Sequence, residues 1–236
     1  MKIAVTSSVF AAALRRGELT HLEWLEACAS RLDLDGVVFE LADLPRTDGE
    51  YAAQAKKVAT DLGLVPVALD APGLLDPDRP EAERAAVLEL AGRLGAGLLR
   101  LTAGPPGPLP PETFARTVAA AKGLASLAKA ANITLTVAPA AGTLLAGVAD
   151  VQKLAKFVDS AWLRYDLPVG DPDRAALGSR DRVLIERVGL GEDVTGVAVL
   201  RRGWFVLEGS GDNDPFAAVE DAVGRLRAAR RARAAV

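Results

Sequence analysis

The chain has 236 residues, with 31 acidic and 28 basic side chains and a net charge of −3, a balance with no electrostatic footprint for nucleic acid or another polyanion. Its single cysteine, Cys28, excludes an intrachain disulfide and a zinc-thiolate cage, and no apolar run approaches the roughly 18 residues of a membrane span. Half of the residues are hydrophobic but only 5% are aromatic, which suits a core of Val, Leu, Ala and Ile on strands buried on both faces.

The first predicted strand is Lys2 to Ser7. Ile3 to Leu14 has the outline of a secretory h-region, but Thr6, Ser7 and Ser8 interrupt it and Arg15 and Arg16 end it. Cleavage would also remove the strand, so the expected location is cytoplasmic. Thr20 and Glu23 form a T-x-x-E capping box ahead of Leu22, Leu25, Cys28, Ala29 and Leu32 at helical spacing. Gly36 to Glu40 is the second strand, Asp48 to Leu62 a helix stopped at Gly63, and Leu64 to Asp70 the third strand, with Pro66 tolerated near its start. Pro80 opens a helix from Glu81 to Leu94, and Leu98 to Thr102 is the fourth strand.

A Gly- and Pro-rich loop, Ala103 to Pro111, leads into a long helix from Glu112 to Ala131 closed by Asn132. Ile133 to Ala138 is the fifth strand, Val148 to Val158 a shorter helix, and Ala161 to Asp166 the sixth strand. A turn or two of helix fits between Asp171 and Gly178, before a seventh strand at Arg182 to Arg187. Gly189 to Gly203 is too short and Gly-rich for a full crossover helix. Trp204 to Glu208 is the eighth strand, followed by a helix with Asp214 as N-cap and Pro215 at N1. The arginines from Arg225 to Arg233 read as a solvated helix end. Eight strands separated by helices predict an α/β fold, a (β/α)8 TIM barrel in one domain over residues 1–236 with a reduced seventh βα unit.

In such a barrel the chemistry lies where strands end. The strand ends carry Glu40, Asp70, Arg100, Asp166, Glu186 with Arg187, and Glu208. Alternation puts Trp162, Arg164 and Asp166 on one face, and Trp204, Val206 and Glu208 on another. Carboxylates converging on one mouth can hold a divalent cation or act as acid and base on a polyol. The competing reading pairs them with Arg100, Arg164 or Arg187 as structural ion pairs. His21, the sole histidine, is expected in a surface or capping role, on the wrong side of the barrel for strand-end chemistry. Ser7, Ser8 and Thr6 are hydrogen-bonding lining at most. Trp24, Trp162 and Trp204 are expected in core or lower-barrel packing. Gly209-Ser-Gly211 reads as a flexible loop ending in an N-cap.

The stretch from Leu19 to Glu40, with its capped helix and Asp-Gly-Val-Val-Phe-Glu, followed by Pro45-Arg46-Thr47-Asp48, resembles the opening of the xylose isomerase-like TIM barrels of the sugar phosphate isomerase/epimerase superfamily. The likeness continues to Trp204-Phe-Val-Leu-Glu208 and Asp212 to Pro215. It implies metal ligands at the ends of strands five to eight, as Glu, Asp, His and Glu. Carried over, the sixth falls on Asp166 and the eighth on Glu208. The fifth falls on Ala138 and the seventh near Glu186, so the set is degenerate and holds Mn²⁺ or Mg²⁺ weakly, if at all. A trinuclear zinc site of the endonuclease branch needs several histidines and is out of reach.

The resemblance thus implies a sugar isomerase or epimerase acting on a small polyhydroxylated or keto-acid substrate. Glu208, Asp166 and Glu186 would be catalytic, Asp166 and Glu208 metal ligands, and Glu40, Asp70, Arg100 and Arg164 substrate contacts. A non-catalytic binding or regulatory protein on a decayed isomerase barrel is the alternative, and a metal-free enzyme a third. The expected partner is a small molecule, with neither nucleic acid nor membrane; related barrels often pair, which leaves a homodimer open.

Overall fold

The computed structural model describes residues 1–102, 111–171, 182–194, 203–209 and 214–234. The strands are β1 Lys2–Thr6, β2 Gly36–Glu40, β3 Val65–Asp70, β4 Leu98–Leu101, β5 Thr134–Val137, β6 Leu163–Pro168, β7 Val183–Gly189 and β8 Trp204–Glu208. Each pairs in parallel with its sequence neighbours, and β8 returns to β1, so the eight strands close into a barrel. The helices are α1 Ala11–Arg16, α2 His21–Ser30, α3 Gly49–Asp61, α4 Glu81–Leu94, α5 Pro111–Ala131, α6 Val148–Val158 and α7 Pro215–Ala234. The segments expected as a loop at Ala103 to Pro111 and as a short helix at Asp171 to Gly178 lie mostly outside the described residues. So do much of the seventh βα unit and the turn after Gly209.

Local sequence explains the punctuation. Thr20 Oγ1 accepts from the Glu23 amide at 3.2 Å while the Thr20 amide donates to Glu23 Oε2 at 2.8 Å, which satisfies two otherwise orphaned N–H groups of α2. Thr20→Ala is expected to cost about 1 kcal/mol, read as a lower urea midpoint with an unchanged slope. Asp48 caps α3 through the Tyr51 amide, and Asp214 caps α7 through the amides of Phe216 and Ala217. Helix α1 was not foreseen. In the sequence its six residues look like the end of one apolar run; Gly17, at φ 69°, stops the helix.

Two apolar layers follow from strand alternation. Val37, Phe39, Leu69, Leu99, Leu135, Val137, Phe205 and Leu207 face the helices, where Trp24 meets Phe39 edge-on at 5.6 Å. Inside the barrel lie Ala4, Val38, Val67, Ala68, Ile185 and Val206, with Leu98 and Trp204 against them. Pro66 is accommodated by a bulge: Val37 pairs with Pro66 but Val38 with Ala68, so Val67 and Ala68 both join the interior cluster. The tail does more than stay solvated, since Arg227 bonds Asp33 and Arg225 reaches the Glu192 carbonyl oxygen at 2.5 Å. No helix among the described residues is long and apolar enough to cross a membrane.

Candidate functional site

The interior layer sets the mouth. Two residues beyond Ala4, Val38, Ala68, Leu98, Ile185 and Val206 come Thr6, Glu40, Asp70, Arg100, Arg187 and Glu208. Because side chains repeat every second residue along a strand, these polar groups stack directly above the apolar floor, at the C-terminal ends of the strands. Glu40, Asp70, Arg100 and Thr136 also follow one another in register across β2 to β5.

Arg100 is the hub. It is 4% exposed, and its Nε donates to Asp166 Oδ2 at 2.5 Å, its Nη1 to Asp70 Oδ2 at 2.8 Å and its Nη2 to Glu208 Oε2 at 3.2 Å. Burial alone would lower its pKa, but Asp166, Asp70 and Glu208 more than reverse this and hold it well above its ordinary value. Arg187 forms a second bridge, with Nε 3.0 Å from Asp166 Oδ1 and Nη1 3.3 Å from Glu208 Oε1, and its Nη2 donates to the Pro139 carbonyl oxygen at 3.1 Å. Asp166, with no solvent exposure, therefore has a guanidinium beside each oxygen, hydrogen-bonded by Arg100 at Oδ2 and in ion-pair contact with Arg187, without hydrogen-bond geometry, at Oδ1.

Burial, followed by the Asp166 and Glu208 charges, raises the Asp70 pKa against the pull of Arg100. Glu40 is also raised, first by burial and then by Asp70, while a hydrogen bond from Ser8 works in the other direction. The first strand end supports it: Ser7 Oγ accepts from the Glu40 amide at 2.9 Å, and Thr6 Oγ1 lies 3.1 Å from Ser8 Oγ.

Of the sequence-derived candidates, Glu40, Asp70, Arg100, Asp166 and Glu208 come together. Glu186 does not. It alternates with Ile185 and Arg187, falls in register with the helix-facing Phe205 and Leu167, and is buried on the outer side of the sheet. One residue of register reverses a strand face, and the inward position is Arg187. Arg164 joins none of the mouth contacts; it donates to the Leu163 carbonyl oxygen at 3.3 Å, and burial and then the nearby Arg182 charge lower its pKa.

His21 is corrected as well. Only 5% exposed, it packs edge-on against Trp24 at 6.0 Å, and burial lowers its pKa despite Asp43. It starts α2, so it stands at the same end of the barrel as the strand C-termini, but outside the ring. Thr136 is the mouth residue that the sequence does not single out, whereas Arg187 is among its strand-end charges and ion-pair candidates. The signal for Arg187 is the two-residue step above Ile185 of the apolar floor; Thr136, two residues after Thr134, carries no such signal.

A divalent metal does not fit these residues. Asp166 and Glu208, the two ligand types that the sequence retains, are both held by guanidinia, the β7 position is a cation, and β5 is followed by Ala138. Among the described residues no three carboxylate, imidazole or thiolate side chains form a group that could hold a metal ion.

No protein-family model matches the sequence, and no curated protein matches it either. Solved structures do. The probable 3-DHS dehydratase of petrobactin synthesis from Bacillus anthracis superposes with a TM-score of 0.76 at 13% identity, covering 96% of this chain and 99% of that one. A xylose isomerase domain containing protein from Salmonella typhimurium gives 0.75 at 16% identity, with 97% of each chain covered. D-psicose 3-epimerase, crystallised in the presence of D-fructose, gives 0.74 at 16% identity over 98% of each. The chain has the xylose isomerase-like TIM-barrel fold, and neighbours on that fold are named for dehydration and for epimerisation, so fold alone does not select a reaction.

Proposed function

We propose that this protein is a small-molecule-binding barrel, built on an isomerase-like scaffold, that holds a neutral polyhydroxylated ligand at its mouth without a divalent metal. The observation that carries the reading is the occupancy of Arg100 by three carboxylates. A guanidinium with all its branches engaged has little left for an anionic substrate, and three carboxylates against two guanidinia leave the cluster negative before Glu40 is counted. Phosphate esters and keto acids would meet repulsion there, whereas hydroxyl groups can donate to Glu40, Asp70 and Glu208. Residues 1–236 act as one domain in this reading, in the cytoplasm, with no nucleic-acid or membrane partner.

A second reading rests on the raised pKa values of Glu40 and Asp70, neighbours in register on β2 and β3. Such carboxyls suit metal-free proton transfer at a sugar carbon. Incorporation of solvent deuterium into a bound ketose, followed by NMR, would favour this second reading over binding alone.

Glu40 supplies the test. With its folded pKa raised, the folded state holds this proton more tightly than the unfolded chain does. The associated stability is fully present below the ordinary carboxylate pKa of about 4.3 and is lost as pH rises through the folded value. Glu40→Gln is expected to flatten that loss and raise Tm at pH 7 by about 1–3 °C, while abolishing the Tm increase given by the ligand. A variant that keeps the full ligand-induced shift would remove Glu40 from the site.

A further inference from the structure

Asp70, Asp166 and Glu208 come from strands far apart in sequence, yet all three carboxylates close on one guanidinium. Arg187 brings a second guanidinium to Asp166 and Glu208. Beside Arg100 in register, Thr136 keeps a fully buried hydroxyl with no hydrogen-bond partner among the described residues. We infer that these carboxylates form a cation cage whose cation is tethered: Arg100 and Arg187 together supply the double positive charge that a free divalent ion would bring.

The chemistry supports the substitution. Ionised carboxylates only accept, so a buried set must be closed either by a hard cation or by N–H donors. Arginine presents donors in a fixed fork and stays protonated at any working pH, so the charge is permanent and independent of metal supply. A single buried ion pair would need one acid per base; here each arginine bridges more than one acid, and Asp166 and Glu208 are each shared between both arginines. The cage also lies directly above the apolar floor, where the barrel interior opens to the mouth.

This inference goes beyond ligand binding and does not rest on it, and its test contains no sugar. Arg100→Ala removes the central guanidinium; the three carboxylates, which as placed around its separate nitrogens form no metal-holding group, must close into the vacated space for Mn²⁺ to take its place. The Tm of the wild-type chain is expected to stay unchanged in about 5 mM MnCl₂, whereas that of Arg100→Ala rises saturably, by about 5 °C or more once metal exceeds its Kd about 100-fold. Arg100→Ala/Asp166→Asn, lacking one wall of the cage, should show a clearly smaller rise. If Arg100→Ala folds only with metal present, recovery of the folded signal on adding Mn²⁺ after dilution from urea is the readout, and supports the cage. Arg187→Ala, at the more exposed edge of the cluster, serves as the second variant. Saturable Mn²⁺ binding by the wild type overturns the inference, as does a folded Arg100→Ala without a response. Failure of both single variants to fold even with Mn²⁺ overturns it too.

Discussion

Arg100→Ala is expected to destabilise the barrel by about 3–5 kcal/mol, measured as a fall in the urea midpoint at pH 7 without divalent metal. The cost comes less from losing attraction than from what remains. Asp166 has no solvent exposure and would keep a charge facing Asp70 and Glu208, with only Arg187 to offset it. Arg100→Lys should recover only part of the loss, because one ammonium cannot reproduce a fork that reaches β3, β6 and β8 at once. The loss in Arg100→Met combined with Asp166→Leu should be well below the sum of the two single losses, since the apolar pair no longer leaves Asp166 charged and buried without Arg100, although Asp70 still loses its Arg100 partner. Additive losses would show that the network is not coupled as described.

Gly36→Ala is the second large effect, at about 3 kcal/mol, the upper end of what overpacking costs. A Cβ at this position would stand 2.6 Å from the Val65 carbonyl oxygen, 2.7 Å from Val67 Cγ2 and 2.9 Å from Trp204 Cζ3. The first obstacle is backbone, on the neighbouring strand, so it cannot move aside without disturbing the pairing of β2 with β3. Gly123→Ala is the matched control: it lies inside α5 with nothing within 4 Å of a new Cβ, and should stabilise by about 0.5–1 kcal/mol. Equal effects at the two positions would contradict the packing described for the barrel floor.

The barrel was legible because parallel strands buried on both faces leave apolar runs that glycines and helix caps separate cleanly. Gly36–Glu40, Val148–Val158 and Trp204–Glu208 fall where the sequence places them. Other boundaries moved by a residue or two, as at β6, which ends at Pro168 rather than Asp166, since pairing with β7 continues to Arg187. The site was legible where a strand ends in one charge, as at Glu40, Asp70, Arg100 and Glu208. It was not legible at β7, where Glu186 and Arg187 stand side by side and only the register with the interior decides which one faces inward. Asp166 and Glu208 pair with Arg100 and Arg187, two of the three arginines that the ion-pair reading of the sequence names, but sequence does not show that Arg100 on β4 spans the mouth to β6 and β8 at once. His21 was misplaced because a capped first turn looks exposed until Trp24 and the neighbouring turn cover it.

Calorimetric titration of the wild-type chain in a chelating buffer, with neutral ketoses and polyols beside their phosphate esters, tests the account most directly. The expected result is saturable binding of a neutral compound that persists without free metal and is absent for its phosphorylated counterpart. Binding that appears only on adding Mn²⁺ or Mg²⁺, or only with the phosphate ester, would contradict it.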